Sequence, residues 1–208
     1  MLIGEIISER DVFPVHAYHG TGAGDITAFR PKSLKGRGSH FLDIGIHVTE
    51  DPQLASEYAQ AADTDMGYDR YRRGLSRDMV TGAPTVYPLR VDPGNVLDLT
   101  GRGVPEDLKA AYATAYAEIA SPATVKRWTQ ALGYDPVTAL SHFQAKAGRR
   151  ALYRLLRGLG YDSIRYDFGL SRGAINYVIF DPKRIRSRFA NFDPAKTDSA
   201  NLMDSAAL

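Results

Sequence analysis

Apolar and polar positions alternate in short runs along this chain, and such runs predict β-strands. The runs lie at residues 15–18, 45–49, 85–91, 96–99, 161–166 and 175–180. Gly, Pro, Asn and Asp follow several of them and are typical of the turns that end a strand. The pattern therefore predicts a sheet of short strands, four of them before the middle segment of the chain and two after it.

A different spacing occupies the middle of the chain, where apolar residues recur every three or four positions and predict helices. The first helix begins at Pro105, and its apolar stripe ends at Ile119. The second begins at Pro122, and a third is predicted over about 136–157. All three are expected to turn their stripes into the core.

One further helix is predicted before this group. Pro52 suits its first turn, and Thr49 or Asp51 can cap it. The polar segment 63–83 lacks periodicity and is interpreted as a loop or excursion.

The order of these elements predicts an α+β fold. With 208 residues and an apolar fraction of 44%, the chain is long enough for one sizeable core. We therefore predict a single domain over 1–187, with a helical insertion over about 104–160 and a polar C-terminal tail over 188–208.

Charge and cysteine content exclude some classes of protein. Lys and Arg total 26 and Asp and Glu total 24, so no global field favours nucleic acid or a membrane surface. The absence of cysteine excludes disulfides, thiolate zinc sites and a cysteine nucleophile. No signal peptide or membrane span is expected, and the expected location is the cytoplasm.

Three separated segments carry small or polar residues within strand-like runs, and they are the candidates for a split ligand site. They read Tyr-His-Gly-Thr at 18–21, Gly-Ile-His-Val-Thr at 45–49 and Asn-Tyr-Val-Ile-Phe at 176–180. The glycine-rich loop at 20–24 lacks the Lys-Ser/Thr ending of a phosphate loop and the spacing of a dinucleotide fingerprint. The three segments are expected to lie side by side in one sheet.

In order and spacing, these segments resemble the signature motifs of ADP-ribosyltransferases of the diphtheria toxin and poly(ADP-ribose) polymerase type. The resemblance is strongest to such domains in large phage and mobile-element polyproteins, which also carry a strand like Gly-Tyr-Asp-Ser-Ile-Arg at 160–165. It spans roughly 15–186 and implies a split antiparallel sheet. It also implies a toxin-like or effector role in a bacterial host cytoplasm.

The resemblance implies a role for several residues. His19 would hydrogen-bond a ribose hydroxyl of NAD, and the backbone of Gly20 would hold the nicotinamide amide. Tyr58, which follows His47 by eleven positions, would stack on the nicotinamide ring. Ordinary packing of His19 in a core and of Tyr58 on a helix face are the alternatives.

Two positions depart from the family pattern. His47 stands where the family has tyrosine, and Asn176 stands where the family has its catalytic glutamate. An asparagine keeps an orienting hydrogen bond but loses negative charge beside the oxocarbenium-like sugar. That charge could instead come from Glu50, Asp51 or Glu57, or the acceptor could assist.

The remaining NAD contacts are expected near the first two motifs. Thr21 and Thr49 end these motifs and are candidate NAD-binding residues. Arg30 and Arg37 lie in a basic loop that could neutralise the pyrophosphate, although a solvated loop is the alternative. No metal is expected.

Together these features predict a mono-ADP-ribosyltransferase that uses NAD as substrate and modifies a host macromolecule, a protein rather than nucleic acid. Polymer growth is not expected, because activation of a sugar hydroxyl needs the missing carboxylate. Two alternatives stay open. One is a domain that binds NAD and only hydrolyses it or is inactive, and the other is a non-enzymatic phage structural or interaction module.

Overall fold

The computed structural model describes residues 12–22, 26–30, 33–36, 42–61, 84–101, 103–167, 173–190, 199 and 201–202. The predicted excursion 63–83 and the candidate residue Arg37 lie outside the described residues.

The described chain contains seven strands and five helices, and their bounds follow in chain order. They are β1 Val15–Thr21, β2 Ile46–Thr49, α1 Pro52–Ala61, β3 Thr85–Val91, β4 Val96–Asp98, α2 Glu106–Ala117, α3 Pro122–Leu132, α4 Pro136–Ala147, α5 Arg149–Gly158, β5 Ser163–Asp167, β6 Ile175–Ile179 and β7 Ile185–Ser187. A 3-10 turn, Pro182–Arg184, precedes β7.

All seven strands form one sheet in the order β4-β5-β6-β2-β1-β3-β7. The pair β4 and β5 is parallel, and every other neighbouring pair is antiparallel. Helices α2 to α5 lie in the connection between the parallel strands β4 and β5. The α+β class is confirmed, and the helices of the predicted insertion over about 104–160 lie between β4 and β5.

The prediction of one continuous helix over 136–157 is wrong. Two helices, α4 and α5, occupy that segment and meet at Gly148, whose φ of 96° and ψ of 160° do not continue a helix. Arg149 then bonds outside the helices, because its backbone N–H donates to the carbonyl of Gly36 at 3.2 Å. Glycine allows the chain to turn at this point and start a new helix.

The predicted stripe of the first insertion helix is confirmed except at its end. Leu108, Tyr112 and Tyr116 are fully buried, but Ile119 lies beyond α2 and is 47% exposed. The strand β7 was not predicted, since its three residues are too few to show a period.

Apolar side chains form one core on each face of the sheet. Ile164 and Val178 point to the face that the insertion helices cover, which we call the helix face. Ala17 and Ile179 point to the opposite face, where Phe29 and Leu202 from non-helical segments complete the core. We call this second side the coil face.

The C-terminal tail contributes to the coil face through Leu202. Its side chain is 1% exposed, its N–H donates to the carbonyl of Thr27 at 2.8 Å, and its carbonyl accepts from the N–H of Ser187 at 3.1 Å. Among the described residues of the tail, Leu202 therefore packs against the domain although the tail as a whole is polar. Within the described residues, no helix has the length and apolar character needed to span a membrane.

Candidate functional site

The three motif segments lie on adjacent strands, because β2 pairs with β6 on one side and with β1 on the other. Thr49 is the common point, since its Cα is paired with Asn176 on β6 and with Tyr18 on β1. The expectation that the segments lie side by side in one sheet is confirmed.

The seam between β1 and β2 is nearly open. Strand β1 pairs with β3 at all seven of its residues, but it pairs with β2 only at Tyr18 and Thr49. Beyond that point the side chain of His19 spans the two strands, and its Nδ1 lies 2.8 Å from the carbonyl oxygen of His47. A carbonyl only accepts, so Nδ1 of His19 carries the proton in this contact.

His19 belongs to the coil face. Its ring packs edge-on against Phe29, with centroids 4.9 Å apart and an interplanar angle of 81°. Across the strand pair it stands opposite Tyr87, which also packs on the coil-face core. Since side chains alternate along a strand, Gly20 lies on the helix face.

His47 belongs to the helix face. Its Nε2 lies 3.2 Å from the carbonyl of Leu42, and its Nδ1 lies 3.3 Å from the hydroxyl of Tyr166. A neutral ring satisfies both contacts, because Nε2 donates to the carbonyl and Nδ1 accepts from the hydroxyl. Burial raises the pKa of Tyr166, so this hydroxyl keeps its proton for the bond.

Asn176 and Thr49 also lie on the helix face, and both are buried. The side chain of Asn176 is 3% exposed, and its amide donates to the carbonyl of Ala174 at 2.9 Å. The hydroxyl of Thr49 donates to the carbonyl of Ile175 at 3.2 Å and accepts from the N–H of Asp51 at 3.2 Å. These polar groups make hydrogen bonds within the fold.

Gly20 is explained by close packing of α1. A Cβ built there would lie 1.7 Å from the carbonyl oxygen of Ala55 and 3.0 Å from the N–H nitrogen of Ala59. Both alanines are fully buried, so the helix backbone rests directly on the strand. The structure therefore gives this glycine a packing role beside the predicted contact of its backbone with nicotinamide.

Tyr58 projects from α1 and is 49% exposed. Partial burial, and then the charge of Glu57, raise the pKa of its hydroxyl. The start of α1 matches the predicted cap, because Asp51 accepts from the N–H groups of Gln53 at 2.7 Å and Leu54 at 3.3 Å. The ring of Tyr58 therefore lies on a helix with a capped N-terminus and is partly exposed to solvent.

The basic loop is only partly described. Arg30 is exposed, and Thr21 at the end of β1 is half-buried. Lys35 and Gly36 are held by Arg149, whose side chain also forms an ion pair of 2.8 Å with the buried Asp43. The loop is therefore anchored to the helical insertion at this point.

The coil face carries a polar chain of which the sequence singled out only Glu50. The hydroxyl of Tyr177 donates to Oε1 of Glu50 at 2.8 Å, and Arg165 donates to Asp98 at 2.7 Å. Burial, followed by the bond to Glu50, raises the pKa of Tyr177 to about 12. The alternation of side chains along a strand could have indicated this arrangement. Tyr177 lies on the face opposite to its neighbour Asn176, and Glu50 lies on the same face as Val48, two residues earlier.

His19 on β1 and Asn176 on β6 are thus separated by β2 and lie on opposite faces of the sheet. The coil face holds His19, Glu50 and Tyr177, whereas the helix face holds His47 and Asn176. In the part of the chain that the structure describes, no group of three or more acidic or histidine side chains is arranged to hold a metal ion.

Comparison with known proteins adds no relative, since no protein-family model, no curated protein and no solved structure matches this chain.

Proposed function

We propose that the protein is a mono-ADP-ribosyltransferase that moves ADP-ribose from NAD to a host macromolecule and releases nicotinamide. The observation that carries the proposal is the adjacency of β6, β2 and β1. Three motifs that resemble those of one enzyme family, of which the first and third lie 155 positions apart in the chain (176 − 21), meet on neighbouring strands in the expected combination.

The seam between β1 and β2 supports the split-sheet fold that belongs to this proposal. The strands separate after a single register pair, and His19 crosses the opening to the carbonyl of His47. A nicotinamide riboside bound along this opening would meet the imidazole of His19 and the backbone of β1, with the carboxylate of Glu50 on the same face of the sheet. Cleavage then depends on positioning and on charge beside C1′ of the ribose.

The acceptor is proposed to be a protein of a bacterial host, in keeping with the resemblance to phage and mobile-element domains. The near-balanced charge of the chain supports a protein over nucleic acid, because nucleic-acid binding draws on clustered Lys and Arg. Transfer of one ADP-ribose unit, rather than a polymer, follows from the buried amide of Asn176 at the position of the family glutamate.

A second candidate function is hydrolysis of NAD without transfer. The amide of Asn176 is buried and bonded to Ala174, so the β6 position offers no carboxylate to select and activate an acceptor. Water would then take the place of the acceptor at C1′.

The test uses purified protein with NAD labelled in the adenylate half, in the presence and absence of bacterial lysate. Transfer predicts nicotinamide release that rises with lysate, together with a host protein heavier by one ADP-ribose unit in intact-mass spectra. Equal release in both samples, with free ADP-ribose as the product, would favour hydrolysis. An absence of NAD binding by calorimetry would rule out both functions.

A further inference from the structure

The position of Glu50 brings a carboxylate to the third motif from the strand next to it. Glu50 directly follows β2, and its N–H donates to the carbonyl of Ile175 at 2.9 Å, which continues the pairing of β2 with β6. Its backbone is therefore held beside the residue that precedes Asn176.

The side chain of Glu50 is oriented by a buried donor. Tyr177 is 5% exposed and packs in the coil-face core, and its hydroxyl donates to Oε1 of Glu50 at 2.8 Å. Because a packed ring has few rotamers, the hydroxyl fixes the direction of the carboxylate without neutralising it. Among the described residues, no Lys or Arg forms an ion pair with Glu50, and Arg165 is paired with Asp98.

Glu50 and Asn176 differ in their exposure to solvent and in the face of the sheet on which they lie. Glu50 is exposed and points to the coil face, where His19 lies, whereas Asn176 is buried under the helix face. A group that stabilises charge on a substrate must reach it, and a solvent-facing carboxylate on the face of His19 meets this requirement.

We propose that Glu50 supplies the catalytic carboxylate of the transfer reaction and that Tyr177 is its positioning residue. This inference rests on the proposed function. The bond between C1′ of the ribose and the nicotinamide nitrogen breaks, and its electron pair leaves with neutral nicotinamide. A nucleophilic oxygen or nitrogen of the acceptor, or a water oxygen, forms the new bond to C1′. Its proton passes to the carboxylate of Glu50 and then to solvent.

The test compares Glu50→Gln with the control Glu118→Gln, which removes an exposed carboxylate of the same type just after α2 in the helical insertion. Glu50→Gln is expected to lower kcat for nicotinamide release by on the order of a hundredfold while the Kd for NAD and the Tm stay unchanged. Glu118→Gln is expected to match the wild type in all three measurements.

Tyr177→Phe tests the positioning role, because it removes only the hydroxyl that orients Glu50. It is expected to lower kcat by about tenfold, with no further loss when it is combined with Glu50→Gln. A fall in Tm with unchanged kcat would show a purely structural role and overturn this assignment.

The outcomes separate this inference from the function on which it rests. A wild-type protein that binds NAD and releases nicotinamide, with Glu50→Gln equally active, would overturn the role of Glu50 alone. A wild-type protein that leaves NAD unbound and intact would overturn the proposed function and, with it, the role of Glu50.

Discussion

The two faces of the sheet differ in what covers them and in how their polar groups are used. On the helix face, Thr49 and Asn176 are buried and His47 is half-buried, and all three make hydrogen bonds to backbone or to Tyr166. On the coil face, an exposed Glu50 lies at the edge of a core completed by non-helical segments. The polar side chains of the helix face thus bond within the fold, whereas the coil face presents an exposed carboxylate at its edge.

This difference changes the interpretation of the motif residues. A residue can match a family position in sequence and still be enclosed, as Asn176 is, whereas its neighbour Tyr177 connects to an exposed carboxylate. We therefore expect substitutions on the helix face to change stability first and substitutions on the coil face to change turnover first.

The largest expected effect is that of Gly20→Ala on the helix face. The new Cβ would overlap the carbonyl oxygen of Ala55, so α1 would have to move off β1. We expect a loss of about 3 kcal/mol or more in the free energy of unfolding. Urea unfolding followed by circular dichroism measures it.

Gly158→Ala is the control for this substitution, since a Cβ there meets nothing within 4 Å. It is expected to leave stability unchanged or raise it slightly, because alanine is the better helix former. If Gly20→Ala is as stable as this control, the close contact of α1 with β1 is wrong.

The next effect is that of His19→Ala on the coil face. Loss of a positioned hydrogen-bonding group is expected to lower nicotinamide release by on the order of a hundredfold in a folded protein. Release is measured with labelled NAD after thermal unfolding confirms the fold. His16→Ala, which alters an exposed histidine on the same strand, should leave release unchanged.

Tyr58→Ala tests the comparison between the two faces, because Tyr58 lies on α1, which packs on the helix face, whereas His19 lies on the coil face. Stacking on nicotinamide predicts that NAD binding weakens by about 1–2 kcal/mol, whereas Tyr58→Phe is expected to be nearly silent. Calorimetry measures both. If both Tyr58→Ala and His19→Ala reduce activity or binding, NAD lies across the seam between β1 and β2. If Tyr58→Phe weakens NAD binding as much as Tyr58→Ala does, the hydroxyl is required and stacking is the wrong explanation.

The smallest effect on turnover is expected for Asn176→Ala. Removal of the bond to Ala174 should lower the free energy of unfolding by about 1 kcal/mol. Nicotinamide release should stay within about threefold of the wild type, which is below about 0.7 kcal/mol in activation free energy. A loss as large as that of His19→Ala would place the ribose against the helix face and contradict the contrast between the faces.

Local patterns predicted several elements well. The alternation at 85–91 corresponds to β3, Asp51 and Pro52 mark the start of α1, and the stripe through Leu108 and Tyr112 is buried. Each of these depends on residues close together in the chain, where side-chain period and capping chemistry decide the structure.

Other features could not be predicted because they depend on distant contacts. The periodicity runs through Gly148 without a visible break, and only its positive φ divides α4 from α5. Leu202 lies in a tail of mostly small and polar residues without a side-chain period, so nothing local indicates that it is buried between β7 and Thr27.

For the candidate site, the sequence by itself determined which residues alternate within each strand and that three motifs occur in one order. Only the tertiary structure decided that His19 and Asn176 lie on opposite faces and that Glu50 joins the side of His19. The reason is physical: the period of two fixes sides within a strand, whereas the relation between strands is set by register. Register depends on backbone hydrogen bonds between segments far apart in the chain.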